Sequence, residues 1–184
     1  ATKGMIDDSL ISNFLKNELN TKRIACISGP SFANDILKKG IIGLTLASNN
    51  VITLDYFRHL FKDISYLKTE ITHDIIGVQL GGILKNIIAI GSGILDGIQV
   101  SSSTKAKFLT DSSKEIKNIF RNLDGNYKTF DTYSGIGDLF LTATSKEELL
   151  GYNLYFKAEF YIFSFAIIHL LFSGTFSKQV ISVK

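Results

Sequence analysis

Residues 74–97 read "DIIGVQLGGILKNIIAIGSGILDG". Asp74 is placed to cap a long helix that runs through about Asp96, and one lysine, Lys85, stands in the middle of an otherwise apolar run. A stranded ammonium in such surroundings is costly unless it is paired, hydrated or used in chemistry. Residues four apart share a helix face, and stepping by fours through Lys85 gives Gly77, Gly81, Lys85, Ala89 and Gly93. The other faces carry Ile76, Leu80, Ile83, Leu84, Ile87, Ile88, Ile90, Ile94 and Leu95 and are fit for burial. The lysine therefore looks out through a groove of small residues. Each helical glycine costs about 0.5–1 kcal/mol relative to alanine, so a stripe of them implies the close approach of a backbone or a ligand.

Two readings fit that stripe. One is a close helix crossing, with Lys85 stretching its stem to water. The other is a partly desolvated amine with a lowered pKa, suited to proton transfer, which needs a carboxylate to hold its charged form. The candidate is Asp138 in "SGIGDLFLTATS" (134–145), where two glycines make a tight turn and the Asp opens a helix. Plain N-capping explains such an Asp equally well. Nothing in the sequence brings Asp138 to Lys85.

Upstream of residue 74 the pattern alternates. "DDSLISNFLKNEL" (7–19) spaces Leu10, Ile11, Phe14, Leu15 and Leu19 as a helix behind a Ser/Asp cap. "RIACIS" (23–28) is a buried strand. "GPSFANDILKKG" (29–40) is a tight loop and short helix, with Ser31 as N-cap and Gly40 as stop. "IIGLTLAS" (41–48) is a strand, "NNVITLDYFRHLFKD" (49–63) a helix and "ISYLKTEIT" (64–72) a strand. This repetition predicts an α/β sheet of mostly parallel strands. Downstream, "VSSST" (100–104) is a polar break before a helix from about Lys105 to Leu123, "LDGNYKTFDTYSGIGD" (123–138) is a loop, and "LFLTATSKEELL" (139–150) is helical. The expected architecture is an α/β fragment, the C-terminal part of a Rossmann-like domain over residues 1–73, followed by an all-α substrate domain over residues 74–184.

The composition narrows the function. A hydrophobic share of 45% in 184 residues supports a packed core, and a net charge of +3 with scattered Lys and Arg lacks the basic stripe of a nucleic-acid binder. The one cysteine, Cys26, reads as a buried core thiol in a reducing compartment. His59, His73 and His169 have no metal-ligand spacing. The first residues carry no signal peptide and lack an initiator Met, so the chain is expected to start inside a longer protein. "SGPSFA" (28–33) follows a strand and opens a helix, where free backbone N–H groups suit an anion or a polar cofactor edge. It reads equally well as a tight strand–helix turn. "GSGILDG" (91–97) is not a dinucleotide fingerprint, because its glycines are misspaced and close a helix. The tail "LYFKAEFYIFSFAIIHLLFSGTF" (154–176) is nearly continuous apolar sequence, but its uninterrupted core, 160–172, is shorter than the roughly 20 residues of a membrane span. A buried helix or strand pair, a membrane-associated segment and a terminus outside the fold all fit it.

"ATKG" (1–4), "SGPSFA" (28–33), "IIGLTLAS" (41–48), "DIIGVQLGGILKNIIAIGSGILDG" (74–97) and "SGIGDLFLTATS" (134–145) occur in an order that resembles the bacterial-type NAD(P)-dependent glycerol-3-phosphate dehydrogenase family. The resemblance spans roughly residues 1–145. It implies a Rossmann domain for NAD or NADP and an all-α domain that completes the site for dihydroxyacetone phosphate and sn-glycerol 3-phosphate, in the service of phospholipid synthesis. By motif, Lys85 matches the proton-transfer lysine and Asp138 a substrate-site aspartate. Lys3 matches a lysine touching substrate and cofactor, Gly29 and Ser31 match substrate contacts, and Ala33 a cofactor contact. Asn86 and Thr142 lie in the shell of the substrate site. A cytoplasmic setting follows from the same resemblance, and a homodimer is compatible with it.

The chain also departs from that family. About 100 residues with a Gly-rich phosphate loop precede the matching part in the family, and no such loop occurs here. Where the family has a Ser-Arg-Asn triplet after the "LTxTS" stretch, this chain reads "KEELLGYN" (146–153), and no arginine follows Arg121. Beyond residue 150 no resemblance to the family is expected. Asp111 stands where a basic residue is usual. The expectation is a chain that carries the dehydrogenase function by descent and is a poor or inactive catalyst as it stands. A β-hydroxyacid dehydrogenase relative is the alternative enzyme, though in that family the asparagine falls four residues after the lysine rather than next to it. A non-catalytic product is the alternative outside enzymes.

Overall fold

The computed structural model describes residues 4–6 and 9–145. Lys3 and the apolar tail lie outside the described residues. Short strands β1 (Met5–Ile6) and β2 (Ser9–Leu10) pair antiparallel and lead into helix α1 (Ile11–Glu18). The expected Ser/Asp cap of α1 is absent. Ser9 and Leu10 are taken up in the ladder with Met5 and Ile6, and Leu10 occupies the cap position without a side-chain hydrogen bond.

A three-stranded sheet follows in the order β3 (Cys26–Ser28), β4 (Ile42–Ala47), β5 (Leu67–Thr72). β4 and β5 are parallel, as their connecting helix α3 (Val51–Phe61) leads one to expect, but β3 runs antiparallel to β4. The reason is the connection. Helix α2 (Ala33–Leu37) has only five residues and advances about 7.5 Å, too little to carry the chain back along a strand, so the chain reverses direction instead. "RIACIS" contributes only three strand residues, and Cys26 is half-buried rather than enclosed. Ser31 is not the cap of α2. Phe32 holds that place, and the Ser31 hydroxyl donates to the Gly29 carbonyl at 3.2 Å. The stop of α2 likewise falls one residue early: Lys39 adopts the left-handed conformation (φ 54°), and the Gly40 amide closes on the Asp35 carbonyl.

Helix α4 (Ile75–Gly97) is the spine of the molecule. As its sequence predicts, Asp74 caps it: Oδ1 accepts from the Gly77 amide at 2.9 Å. Oδ2 accepts from the Asn126 amide at 2.9 Å, which ties the start of α4 to a distant loop. Val78 packs with Ala47 and Ile75 under the sheet, while Leu80, Leu84, Ile88 and Leu95 join Phe108, Ile116, Phe120, Phe130 and Leu139 in the larger core. Among the described residues α4 alone is long and apolar enough to cross a membrane, and 67% of its most apolar window is buried inside the fold. It is a core helix.

Helix α5 (Ser102–Asn122) begins earlier than expected because Ser101 caps it, accepting from the Thr104 amide at 3.2 Å. The segment read as a loop is instead helical in short pieces: a 3-10 turn (Tyr127–Asp131), a π turn (Tyr133–Gly137) and then α6 (Asp138–Thr144). This segment fills the small-residue stripe of α4. A Cβ on Gly81 would come within 2.8 Å of the Ser134 carbonyl oxygen, and one on Gly77 within 3.0 Å of Thr129 Cβ. Gly81 thus admits another backbone, while Gly77 leaves room for the Asp74 carboxylate and the Thr129 side chain.

Asp74→Ala removes two hydrogen bonds at once. It should lower stability by about 2 kcal/mol in urea denaturation, with Asp74→Asn recovering part of the loss. Equal stability of the alanine variant and the parent would contradict the cap's double role.

Candidate functional site

Lys85 does not reach for bulk water. It is 7% exposed on α4, and its Nζ donates to Asp138 Oδ1 at 2.5 Å and to Thr142 Oγ1 at 2.9 Å. Asp138, 2% exposed, is the first residue of α6, but its side chain caps nothing there; Gly137 occupies the cap position. Thr142 lies one turn further along, where its hydroxyl also donates to the Asp138 backbone carbonyl at 2.8 Å. The spacing of four between Asp138 and Thr142 therefore puts an anion and a hydroxyl on one face of α6, both turned to the same amine. The two readings of the sequence divide between residues: Gly77 and Gly81 serve packing, while Lys85 meets a carboxylate.

The α/β part reaches this pair through "SGPSFA". Ser28 Oγ lies 3.5 Å from Asp138 Oδ2, and a Cβ on Gly137 would touch the Pro30 ring at 3.4 Å. Gly29 is buried with φ +155°, and its open side faces the Gly43 carbonyl, which a Cβ would approach to 2.4 Å. Ser31 is half-buried, and Ala33 is exposed at the start of α2. Asn86 is half-buried on α4 and makes no side-chain hydrogen bond among the described residues. Asp111 is exposed on α5, where hydrogen bonds from Lys107 and then Lys114 hold its carboxyl below the ordinary range. A cleft of about 220 Å³ opens beside Ser28 between β3 and α4, lined by Gly4, Cys26, Ser28, Val78, Gln79 and Gly82 among others. Ser28 is common to this cleft and to the charged pair, and its role was not anticipated from the sequence although it opens the quoted motif. Among the described residues no cluster of His, Cys, Asp and Glu is placed to hold a metal ion.

Two of the strand-to-helix junctions, the kind of place where a dinucleotide's pyrophosphate sits, are taken by the chain's own side chains, and α2 has no side-chain cap. The loop before α2 folds onto the sheet through Gly29. Before α3, Asn50 Oδ1 takes the Thr53 amide at 2.9 Å. Before α4, the carboxylate of Asp74 takes the Gly77 amide, and its negative charge opposes a phosphate. The N-termini of α3 and α4 are thus used internally.

The motif order, the mixed sheet leading into a helical part, and a buried lysine on a carboxylate define a dehydrogenase-type chain. It belongs to the NAD-dependent glycerol-3-phosphate dehydrogenase family. The family's N-terminus matches residues 1–53, and its C-terminus matches residues 74–159. The expectation of no resemblance beyond residue 150 is therefore corrected: the C-terminal match continues to residue 159. The glycerol-3-phosphate dehydrogenase [NAD(P)+] of Clostridium botulinum (strain Eklund 17B / Type B) is 38% identical over 138 residues, 75% of this chain and 41% of that protein. That of Leptospira biflexa is 33% identical over 162 residues, 84% of this chain and 48% of that protein. Among solved structures, glycerol-3-phosphate dehydrogenase of Coxiella burnetii superposes with a TM-score of 0.75 at 26% identity, over 93% of this chain and 57% of that one. DsGPDH of Dunaliella salina gives 0.77 at 26% identity, over 84% of this chain and 27% of that one. The chain spans less than half the length of these two curated relatives.

Removing one member of a buried ion pair leaves the other charge uncompensated. Asp138→Ala should therefore cost about 3–5 kcal/mol, and a Lys85→Met/Asp138→Leu double variant should recover at least half of that. A denaturant-based double-mutant cycle reads the difference, and additive losses would mean that the two side chains are not coupled.

Proposed function

We propose that this chain carries the proton-transfer and substrate-contacting part of a reversible dehydrogenase for dihydroxyacetone phosphate and sn-glycerol 3-phosphate. The observation that supports it is the Lys85 amine, buried on α4 and held by Asp138 and Thr142. Hydride delivery belongs to the nicotinamide cofactor and to no residue of this chain. As the carbonyl carbon is reduced, negative charge develops on its oxygen; the Lys85 ammonium stabilises that charge and donates its proton. In the reverse direction the neutral amine takes the proton from the C2 hydroxyl. Asp138 keeps a charge partner beside the amine, and the Thr142 hydroxyl fixes its direction. Lys3, Gly29, Ser31 and Asn86 are assigned to the substrate, and Lys3 and Ala33 to the cofactor's edge. A helical substrate domain beginning at residue 74, a cytoplasmic setting and a homodimer complete the reading.

A second reading is favoured by the internal use of the α3 and α4 N-termini by Asn50 and Asp74: a chain that binds the phosphorylated substrate without turning it over. Micromolar binding of NADH to this chain would sink that alternative.

The test compares the parent with Lys85→Met. Glycerol 3-phosphate should protect Lys85 of the parent from acetylation, read by mass spectrometry. NADH-dependent reduction of dihydroxyacetone phosphate should fall by about 10²–10⁴ in the variant. An active parent whose variant is equally active, or a Lys85 that glycerol 3-phosphate does not protect, would overturn the assignment.

A further inference from the structure

One row of the sheet carries three polar side chains in register. Ser28 of β3 is the partner of Thr45 of β4, and Thr45 is the partner of Glu70 of β5. Register partners project to the same face of a sheet, and each of these three side chains contacts the segment that ends in Asp138. Glu70 Oε2 accepts from the Tyr133 amide at 3.0 Å. Thr45 Oγ1 accepts from the Ser134 amide at 3.0 Å. Ser28 Oγ meets Asp138 Oδ2 at 3.5 Å. Two residues along β4, Gly43 leaves the space for the Tyr133 ring, which a Cβ there would approach to 2.5 Å. Thr45 is fully buried, so its hydroxyl and the amide it receives would each lose much by parting.

These contacts determine where Asp138 can be. The Tyr133 and Ser134 amides are the first two of the π turn, and a π turn is wider than an α turn and needs outside support. With both amides anchored to the strands and the Ser134 carbonyl lodged against Gly81, the turn can deliver Asp138 to α4 in one orientation only.

We infer that the row Ser28–Thr45–Glu70 is a positioning device that holds the Asp138 carboxylate against the Lys85 amine. None of the three need touch substrate; they act through the turn. The proposal deepens the dehydrogenase reading by adding positioning residues to the same site, and it rests on that reading only for its catalytic meaning.

The test reads Lys85 directly, without turnover. The folded chain is acetylated by trace anhydride and the rate at Lys85 is measured by mass spectrometry, relative to Lys105, which is paired with Asp96 elsewhere. Thr45→Val keeps the shape and loses the acceptor, and Glu70→Met does the same for Tyr133. Both should raise relative Lys85 labelling by about fivefold, the equivalent of one lost hydrogen bond. Thr45→Ser and Glu70→Gln keep an acceptor oxygen and should label like the parent. Should Thr45→Val fail to fold, Ser28→Ala, which deletes a single hydroxyl beside the carboxylate, must show the rise. Unchanged labelling in the folded valine, methionine and alanine variants overturns the proposal, as does a serine variant that labels as fast as the valine one. Failure of glycerol 3-phosphate to protect Lys85 would count against the dehydrogenase reading and leave this inference standing.

Discussion

A single buried ion pair organises this structure. An ammonium on a core helix cannot be left unpaired, so wherever Lys85 goes, a carboxylate must follow. Asp138 meets it from 53 residues further along the chain, which obliges the whole segment 126–138 to lie across α4. That segment can lie there only because α4 has glycine at positions 77 and 81. The helical propensity lost at those glycines is offset by the close approach they permit, of a backbone at Gly81 and of the Asp74 and Thr129 side chains at Gly77. The packing of α4, the irregular turns before α6 and the burial of Thr142 all follow from one electrostatic requirement.

The pair also explains why the two parts of the fold are built so differently around one helix. α4 belongs to both hydrophobic clusters, packing Val78 under the sheet and Leu80, Leu84 and Ile88 into the helical core. A site formed on it inherits rigidity from both sides. On the sheet side, polar residues in neighbouring strands meet the backbone amides of the π turn. On the helical side, the Thr142 hydroxyl accepts from the amine. Support from both sides holds the Lys85–Asp138 pair in one geometry.

Family membership and local geometry bear on different questions. The matches identify the lineage of the chain over both its α/β and helical parts. The structure shows that the N-termini of α3 and α4 are used internally, by Asn50 and Asp74.

How much of this was legible beforehand depends on the range of the forces involved. Local patterns were sufficient for the position and cap of α4, for the strands at 42–47 and 67–72, and for singling out Lys85 and Asp138 as chemically unusual, because hydrophobic period, capping and composition act within a few residues. They failed at the α1 cap, which a β ladder claims, and at the direction of β3, which the length of α2 controls. The lone hydroxyl of Thr45 within an apolar strand was visible in the sequence, but its meaning was not. The amides it and Glu70 receive come from 89 and 63 residues away, and strand register alone sets them side by side with Ser28. The sequence by itself determined which side chains could do chemistry and which elements carry them. Only the tertiary structure decided that a lysine, an aspartate and a row of strand hydroxyl and carboxylate groups share one place, because long-range pairing of charges and amides depends on how elements pack and not on their spacing along the chain.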